Sequence, residues 1–338
     1  MDYFAASIPA TEDAFQRRVS YLRVSVTDRC NLRCGYCMPA SGVPFWTSDE
    51  RLANDELFRL MDVFVGLGVK KVRLTGGEPL LRPDLERIIG RLRARPEIED
   101  IALSTNGVFL AKRARSLKKA GLSRINISLD TFRPERFARI ARSNRLFDVM
   151  QGIEEALQVG FQPVKINVVL MRGINEDELE DFVALAVARP LEVRFIELMP
   201  TRNNFEGTAA VGRAQFISAE EVRQRVQRLV PLGQEEARSG VARVFPIFGG
   251  LGKIGFISPV SNHFCGTCNR LRLTARGELK TCLHGEDLVD LRTPLRAGAG
   301  DEELADLIRH AVLGKPPEHF IRPEQFMSRW LQMSQVGG

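Results

Sequence analysis

No histidine precedes residue 263 in this 338-residue chain, and no cysteine lies between Cys37 and Cys265. The long front part therefore cannot complete a zinc site of three cysteines and one histidine. No apolar run approaches the roughly 18 residues that a membrane-crossing helix needs. The start, MDYFAASIPATEDAFQRR, lacks a basic stretch leading into an apolar one, so no secretion signal is read there. The expected location is cytoplasmic, where thiols stay reduced. Lysine is scarce, with 9 Lys against 39 Arg and a net charge of +6. Arg forks suit phosphate and carboxylate, so an anionic ligand fits, and a genome bias toward Arg fits equally. The basic residues are spread and not blocked, so nucleic acid is not the expected partner. A hydrophobic content of 44% allows a sizeable core.

The cysteines that are present fall into two triads. Cys30, Cys34 and Cys37 have the spacing C-x3-C-x2-C, and Cys265, Cys268 and Cys282 have C-x2-C-x13-C. In a reduced compartment such groups bind metal or do chemistry. Three thiols are one short of a closed tetrahedral cage or of the usual iron–sulfur ligand set. In the first triad the missing thiol reads as an open coordination position. The second is flanked by His263 and His284, so zinc and an iron–sulfur cluster both remain open there.

Between the triads, β-rich runs alternate with helical periods. YLRVSV, KKVRLT, IALST, RINISL, VKINVVL and LEVRFIEL read as strands, and 54–68, 146–159 and 176–188 as helices. Six β-then-α units imply a parallel sheet, open or rolled into a barrel, with ligands at the carboxyl ends of the strands. The first triad, Gly76-Gly77-Glu78-Pro79, Thr105-Asn106, Ser128 to Asp130 and Met199 all lie at such ends. After residue 200 the rhythm changes to a polar loop, a helix at 218–230, two antiparallel strands and a final helix at 301–313. The expected division is a variable arm at 1–20, a barrel at 21–235 and a C-terminal region at 236–338.

C-x3-C-x2-C with an aromatic before its last cysteine (Tyr36), after a first strand and with GGEP downstream, resembles the radical S-adenosylmethionine enzymes. VRLTGGEPLLR, STNG, RINISLD, RFIELM, NHFCGTCNRLRLTARGELKTCL and the terminal Gly-Gly are similar to the GTP 3′,8-cyclases of molybdenum cofactor biosynthesis. The resemblance implies an α/β fold, an incomplete (β/α)6 TIM-like barrel with a C-terminal α+β extension carrying a second iron–sulfur cluster. It implies two [4Fe–4S] clusters, one on each triad, with the second taking the guanine base, and S-adenosyl-L-methionine against Tyr36, Gly77, Ser128 and Met199. It further implies GTP against Arg23, Arg73, Thr105, Lys165, Arg270, Leu271 and Arg272, with Lys71 and Arg194 as weaker candidates. No protein side chain would abstract hydrogen, because a 5′-deoxyadenosyl radical does so. An external electron donor, a downstream cyclic pyranopterin monophosphate synthase and a homodimer are the implied partners. The terminal glycines would reach into the site. Pro200 stands where many relatives carry an acidic residue. The competing expectations are another radical enzyme of the peptide-maturase type and a non-catalytic metal-binding module.

Overall fold

The computed structural model describes residues 11–199, 213–237, 240–285, 287–319, 321 and 333–337. Pro200, the polar loop 201–212 and Gly338 lie outside the described residues. Among the described residues eleven strands, numbered in chain order, form one continuous sheet in the order β11-β10-β9-β1-β2-β3-β4-β5-β6-β8-β7. The expected six are β1 (Tyr21–Ser25), β2 (Lys71–Thr75), β3 (Asp100–Thr105), β4 (Arg124–Ser128), β5 (Val164–Val169) and β6 (Glu192–Ile196). They pair in parallel, each with the next.

Strand alternation gives this sheet two unlike faces. One carries Leu22, Val24, Val72, Leu74, Ile101, Leu103, Ile125, Ile127, Ile166 and Val193, each at most 1% exposed. Helices cover that face: Asn54–Gly66 buries Leu57, Leu60, Met61 and Phe64, and Leu85–Arg93 buries Leu85, Ile88, Ile89 and Leu92. Each such aliphatic side chain contributes about 1.5–3 kcal/mol on burial. The other face, the inside of the curved sheet, is polar.

The Asn54–Gly66 helix is capped by a side chain from its own first turn. The Glu56 carboxylate reaches back to the Ala53 N–H at 2.7 Å, while Asn54 donates to Asp84. A helix at Pro134–Ala141, opened by Pro134, was not read from the sequence.

The C-terminal region extends the same sheet at both ends. β7 (Arg243–Pro246) and β8 (Lys253–Ile257) are the antiparallel pair, and β8 joins β6 in parallel. β9 (Arg270–Leu273), β10 (Glu278–Lys280) and β11 (Val289–Asp290) were not anticipated, and β9 pairs in parallel with β1. The expected boundary near 235 is therefore crossed by strand pairing on both sides. Of the expected arm, residues 11–20 fold back on themselves, with Val19 N–H bonded to Thr11 O at 2.9 Å. Among the described residues no helix is long and apolar enough to cross a membrane.

Candidate functional site

The first triad lies in the loop after β1, and backbone contacts hold that loop. Gly77 N–H donates to Thr27 O at 2.8 Å, and Glu78 N–H donates to Arg29 O at 2.7 Å. A Cβ on Gly77 would stand 2.4 Å from Arg29 O and 2.7 Å from Asp28 O, so only glycine permits this approach. Beneath it, the fully buried Glu78 carboxylate accepts from Leu80 N–H at 2.9 Å, Thr105 hydroxyl at 2.7 Å and Asn106 N–H at 2.7 Å. Burial still lifts its pKa to about 7. On the far side, Gly35 N–H donates to Ile140 O at 3.0 Å, which ties the loop to the unanticipated Pro134–Ala141 helix.

One cavity of about 250 Å³ is lined by Cys30, Cys34 and Cys37 together with Tyr36, Gly77, Ser128 and Met199. The structure thus brings together all three cysteines and the four residues associated with S-adenosylmethionine. Thr105 also lines this cavity, with its hydroxyl committed to Glu78, which places it on the cysteine side. Two acidic residues shape the wall: Asp130, noted at a strand end but given no role, and Glu197, not singled out at all. The Asp130 carboxylate accepts from Tyr36 hydroxyl at 2.6 Å and from Val169 N–H at 2.8 Å. Glu197 accepts from Ala219 N–H at 2.8 Å and from the Val260 and Ser261 N–H groups at 2.9 Å each. Acidic residues inside GGEP, SLD and RFIEL were the available signals.

Three thiols on one cavity are the donor chemistry that an iron–sulfur cluster takes, although among the described residues no three ligands already converge on a single ion. Burial and the neighbouring Glu78 push the Cys30 thiol up to about 11. Burial and Cys30 push Cys37 up to about 12, and burial with Cys37 and Cys30 holds Cys34 well above its usual value. Crowded thiols of this kind ionise together only when a bound cation compensates them. Asn106 Nδ2 points at Cys30 Sγ from 3.9 Å, and Leu32 N–H approaches the same sulfur at 3.5 Å.

Deeper inside the sheet the polar face becomes cationic. Arg23 on β1 sits in register with Arg73 on β2 and with Arg272 on β9. Arg270 packs over the Tyr21 ring at 5.7 Å, and Arg73 over the same ring at 5.9 Å. Lys165 and Arg194 share one carboxylate, Glu192, the lysine at 3.2 Å. Burial and the like charges of Arg272 and Arg73 hold Arg23 well below its ordinary value. Burial with Arg270 brings Arg272 to about 10, and burial with Arg194 brings Lys165 to about 8. Burial alone would raise Tyr21, but Arg73 and Arg23 outweigh it and hold the phenol at about 8. Lys165 and Arg194 also line a second cavity of about 580 Å³, at the start of β5 and β6.

Leu271 requires a correction. It pairs with Leu22 on the apolar face and is 1% exposed, so its side chain points away from this interior. Strand alternation sends Arg270 and Arg272 inward and Leu271 outward, so only its backbone remains for any contact.

The second triad stands at the base of β9. Cys265 is buried, and Cys268 and Cys282 are partly so. Burial pushes Cys265 up, whereas at Cys268 burial is outweighed by Lys315 and Arg270, and the thiol is lowered. Three of the four histidines gather beside it, with the rings of His263 and His284 at 5.1 Å and 5.6 Å from that of His319. The chain's end returns to the space between the triads. Met333 and Ser334 line the first cavity, and the Gly337 carbonyl accepts from the Arg272 guanidinium. Gly337 has φ +77°, and a Cβ there would meet Thr75 Oγ1 at 2.4 Å.

Comparison with known proteins agrees with this layout. The Radical SAM superfamily model matches residues 24–186, and the Molybdenum Cofactor Synthesis C model matches residues 191–321. The chain is 48% identical over 332 residues to a protein named GTP 3′,8-cyclase from Moorella thermoacetica, covering 97% of this chain and 100% of that one. It is 49% identical over 308 residues to Molybdenum cofactor biosynthesis protein 1 of Bos taurus, covering 91% of this chain and 48% of that one. Streptococcus suis SuiB bound to precursor peptide SuiA superposes with TM-score 0.56 at 14% identity, over 90% of this chain and 76% of that one. That last likeness is one of fold.

Proposed function

We propose how this chain works from one premise: it belongs to the GTP 3′,8-cyclase family of radical S-adenosylmethionine enzymes. Its reaction converts GTP to (8S)-3′,8-cyclo-7,8-dihydroguanosine 5′-triphosphate, the first step of molybdenum cofactor biosynthesis. When bound, a [4Fe–4S] cluster and S-adenosylmethionine supply a 5′-deoxyadenosyl radical that takes hydrogen from C3′ of the GTP ribose.

The chain's own residues do the rest. Cys30, Cys34 and Cys37 hold the first cluster and leave one coordination position for S-adenosylmethionine. Tyr36, Gly77, Ser128 and Met199 enclose that cofactor, Gly77 and Met199 through their backbones. Arg23, Arg73, Lys165, Arg270 and Arg272 bind GTP, and Thr105 closes the side toward the first triad. A triphosphate is the anion that such a cation layer suits. Cys265, Cys268 and Cys282 would hold a second [4Fe–4S] cluster, whose open iron would supply a ligand position for the guanine. The cation layer holds the substrate so that C3′ and C8 can meet for ring closure. One electron starts the reaction and another completes it, so an external electron donor is required. The product passes to a cyclic pyranopterin monophosphate synthase, and the enzyme works in the cytoplasm as a homodimer.

One observation carries this reading. Arg73, Arg23 and Arg272 lie side by side on β2, β1 and β9; the first triad follows β1, Cys265 and Cys268 precede β9, and Cys282 follows β10. A phosphate-bearing substrate held there is within the reach of both triads. The test is anaerobic turnover of the iron- and sulfide-reconstituted chain with reductant and S-adenosylmethionine, comparing GTP, ATP and no nucleotide by mass spectrometry. The expected result is 5′-deoxyadenosine together with an isomer of GTP of altered retention, with GTP alone. Cleavage of S-adenosylmethionine with no nucleotide product would overturn the substrate assignment.

A further inference from the structure

Two buried cations behind the second triad have no part in the reading above. Lys315 is 3% exposed and follows the Asp301–Leu313 helix. Its ammonium donates to Arg270 O at 3.0 Å and to Thr281 O. Arg270 lies two residues after Cys268, and Thr281 immediately precedes Cys282, so one side chain ties both cysteine-bearing segments. Arg17 is 7% exposed and holds the backbone of the third cysteine, donating to Cys265 O at 2.8 Å. It also donates to Pro316 O at 2.6 Å and Pro317 O at 2.8 Å, which fastens the turn that carries Lys315.

The two cations differ in how their charge is answered. Arg17 is ion-paired with buried Asp13 at 2.5 Å. Among the described residues no carboxylate stands within ion-pair distance of Lys315. A buried ammonium held by carbonyls alone is costly unless an anion lies close. Its two carbonyl contacts set it against the segments that carry Cys268 and Cys282, whose sulfurs would be the nearby anions once they hold a cluster. Three thiolates around a cubane leave a net negative charge, which grows on reduction, and surrounding charge is one of the factors that set a cluster's potential.

We propose that Lys315, fixed by Arg17, is a positioning residue for the second cluster: it aligns the cysteine-bearing segments and places an uncompensated positive charge behind the sulfurs, which favours the reduced cluster. The inference rests on the reading of this triad as an iron–sulfur site. A purely structural lysine would set cluster content and leave the potential alone.

The test uses the full chain, reconstituted anaerobically, as native, Lys315→Gln and Lys315→Arg forms. A chain with Cys265, Cys268 and Cys282 all replaced by Ala identifies the signal of the first cluster. Iron content and potentiometric titration followed by electron paramagnetic resonance are the readouts. Lys315→Gln is expected to lower the midpoint potential of the second cluster and leave the first unmoved, while Lys315→Arg keeps both at native values. An unmoved second potential in Lys315→Gln, with iron retained, overturns the inference alone. Should Lys315→Gln fail to load, Lys315→Arg decides: native potential supports the role of charge, and selective loss of the second cluster overturns it. Zinc in place of iron at the native second triad overturns the cluster reading and this inference with it.

Discussion

The two cysteine triads present the same three thiols in opposite company. Around Cys30, Cys34 and Cys37 the strongest charged influences, Glu78, Asp130 and the thiols themselves, are anionic. Around Cys268 the dominant charges are Lys315 and Arg270, with Arg17 adding to them. The supports differ as well. Glycine backbone and a buried carboxylate hold the first loop, and long cationic side chains from distant segments hold the second. Cysteine spacing therefore states how many donors a site offers, while the residues packed behind them state what charge it tolerates.

Single-cysteine variants test that contrast most severely. Cys34→Ala should abolish both cleavage of S-adenosylmethionine and cyclisation. Cys268→Ala should leave cleavage measurable and eliminate the cyclised nucleotide. Equal loss of cleavage in both, with the first cluster's spectrum intact in Cys268→Ala, would show that the triads do not divide the work.

The cationic layer between the triads comes next. Arg272→Ala removes a charge that meets both Gly337 and the Arg23 row. A charge-assisted contact of about 1.5–3 kcal/mol implies a rise in GTP KM of roughly 10- to 150-fold. Because the variant also relieves like-charge crowding, its thermal midpoint should not fall in proportion. A KM unchanged by Arg272→Ala would place the triphosphate elsewhere.

Gly77→Ala sharpens the backbone side of the comparison. Its new methyl would collide with Arg29 O, and overpacking of this kind costs about 1–3 kcal/mol. Iron content should fall at the first triad and hold at the second. Loss from both in equal measure would mean that the loop supports the whole sheet and not one site.

The smallest effect expected is a pH dependence. Burial and Arg194 bring Lys165 to about 8, below its unfolded value, so it is charged below that pH and neutral above it. GTP binding should weaken as pH rises through about 8, and Lys165→Arg should flatten the profile between pH 7 and 9. A native profile that is already flat would remove Lys165 from the binding set. The same shift makes the folded state hold fewer protons than the unfolded one above about 8, so this group's contribution to stability rises with pH there.

Much of this was legible in the sequence because it is local. Alternation at Tyr21–Ser25 and Lys71–Thr75 gives the strands, and the spacing of Cys30, Cys34 and Cys37 gives the donor count. The rest depends on partners far along the chain. Arg17 and Cys265 are 248 positions apart, and nothing in the stretch around Arg17 announces that contact. Glu78 and Asp130 sit inside motifs read for their neighbours, and only the fold shows which N–H groups their carboxylates answer. Leu271 was carried along by the motif around it, although the period of two that places Arg270 and Arg272 inside already sends it outward.

The pairing of β1 with β9 also sets an order of events during synthesis. β1 leaves the ribosome long before β9, and one of its two edges finds its partner only when residues 270–273 have emerged. Until then the strand that leads into the first cysteine loop has one side unsatisfied, and such open edges recruit other chains. Contacts of this sequence separation also form slowly. The strand that leads into the first cysteine loop is thus completed by the strand that begins two residues after Cys268, so the surroundings of both triads depend on one late pairing.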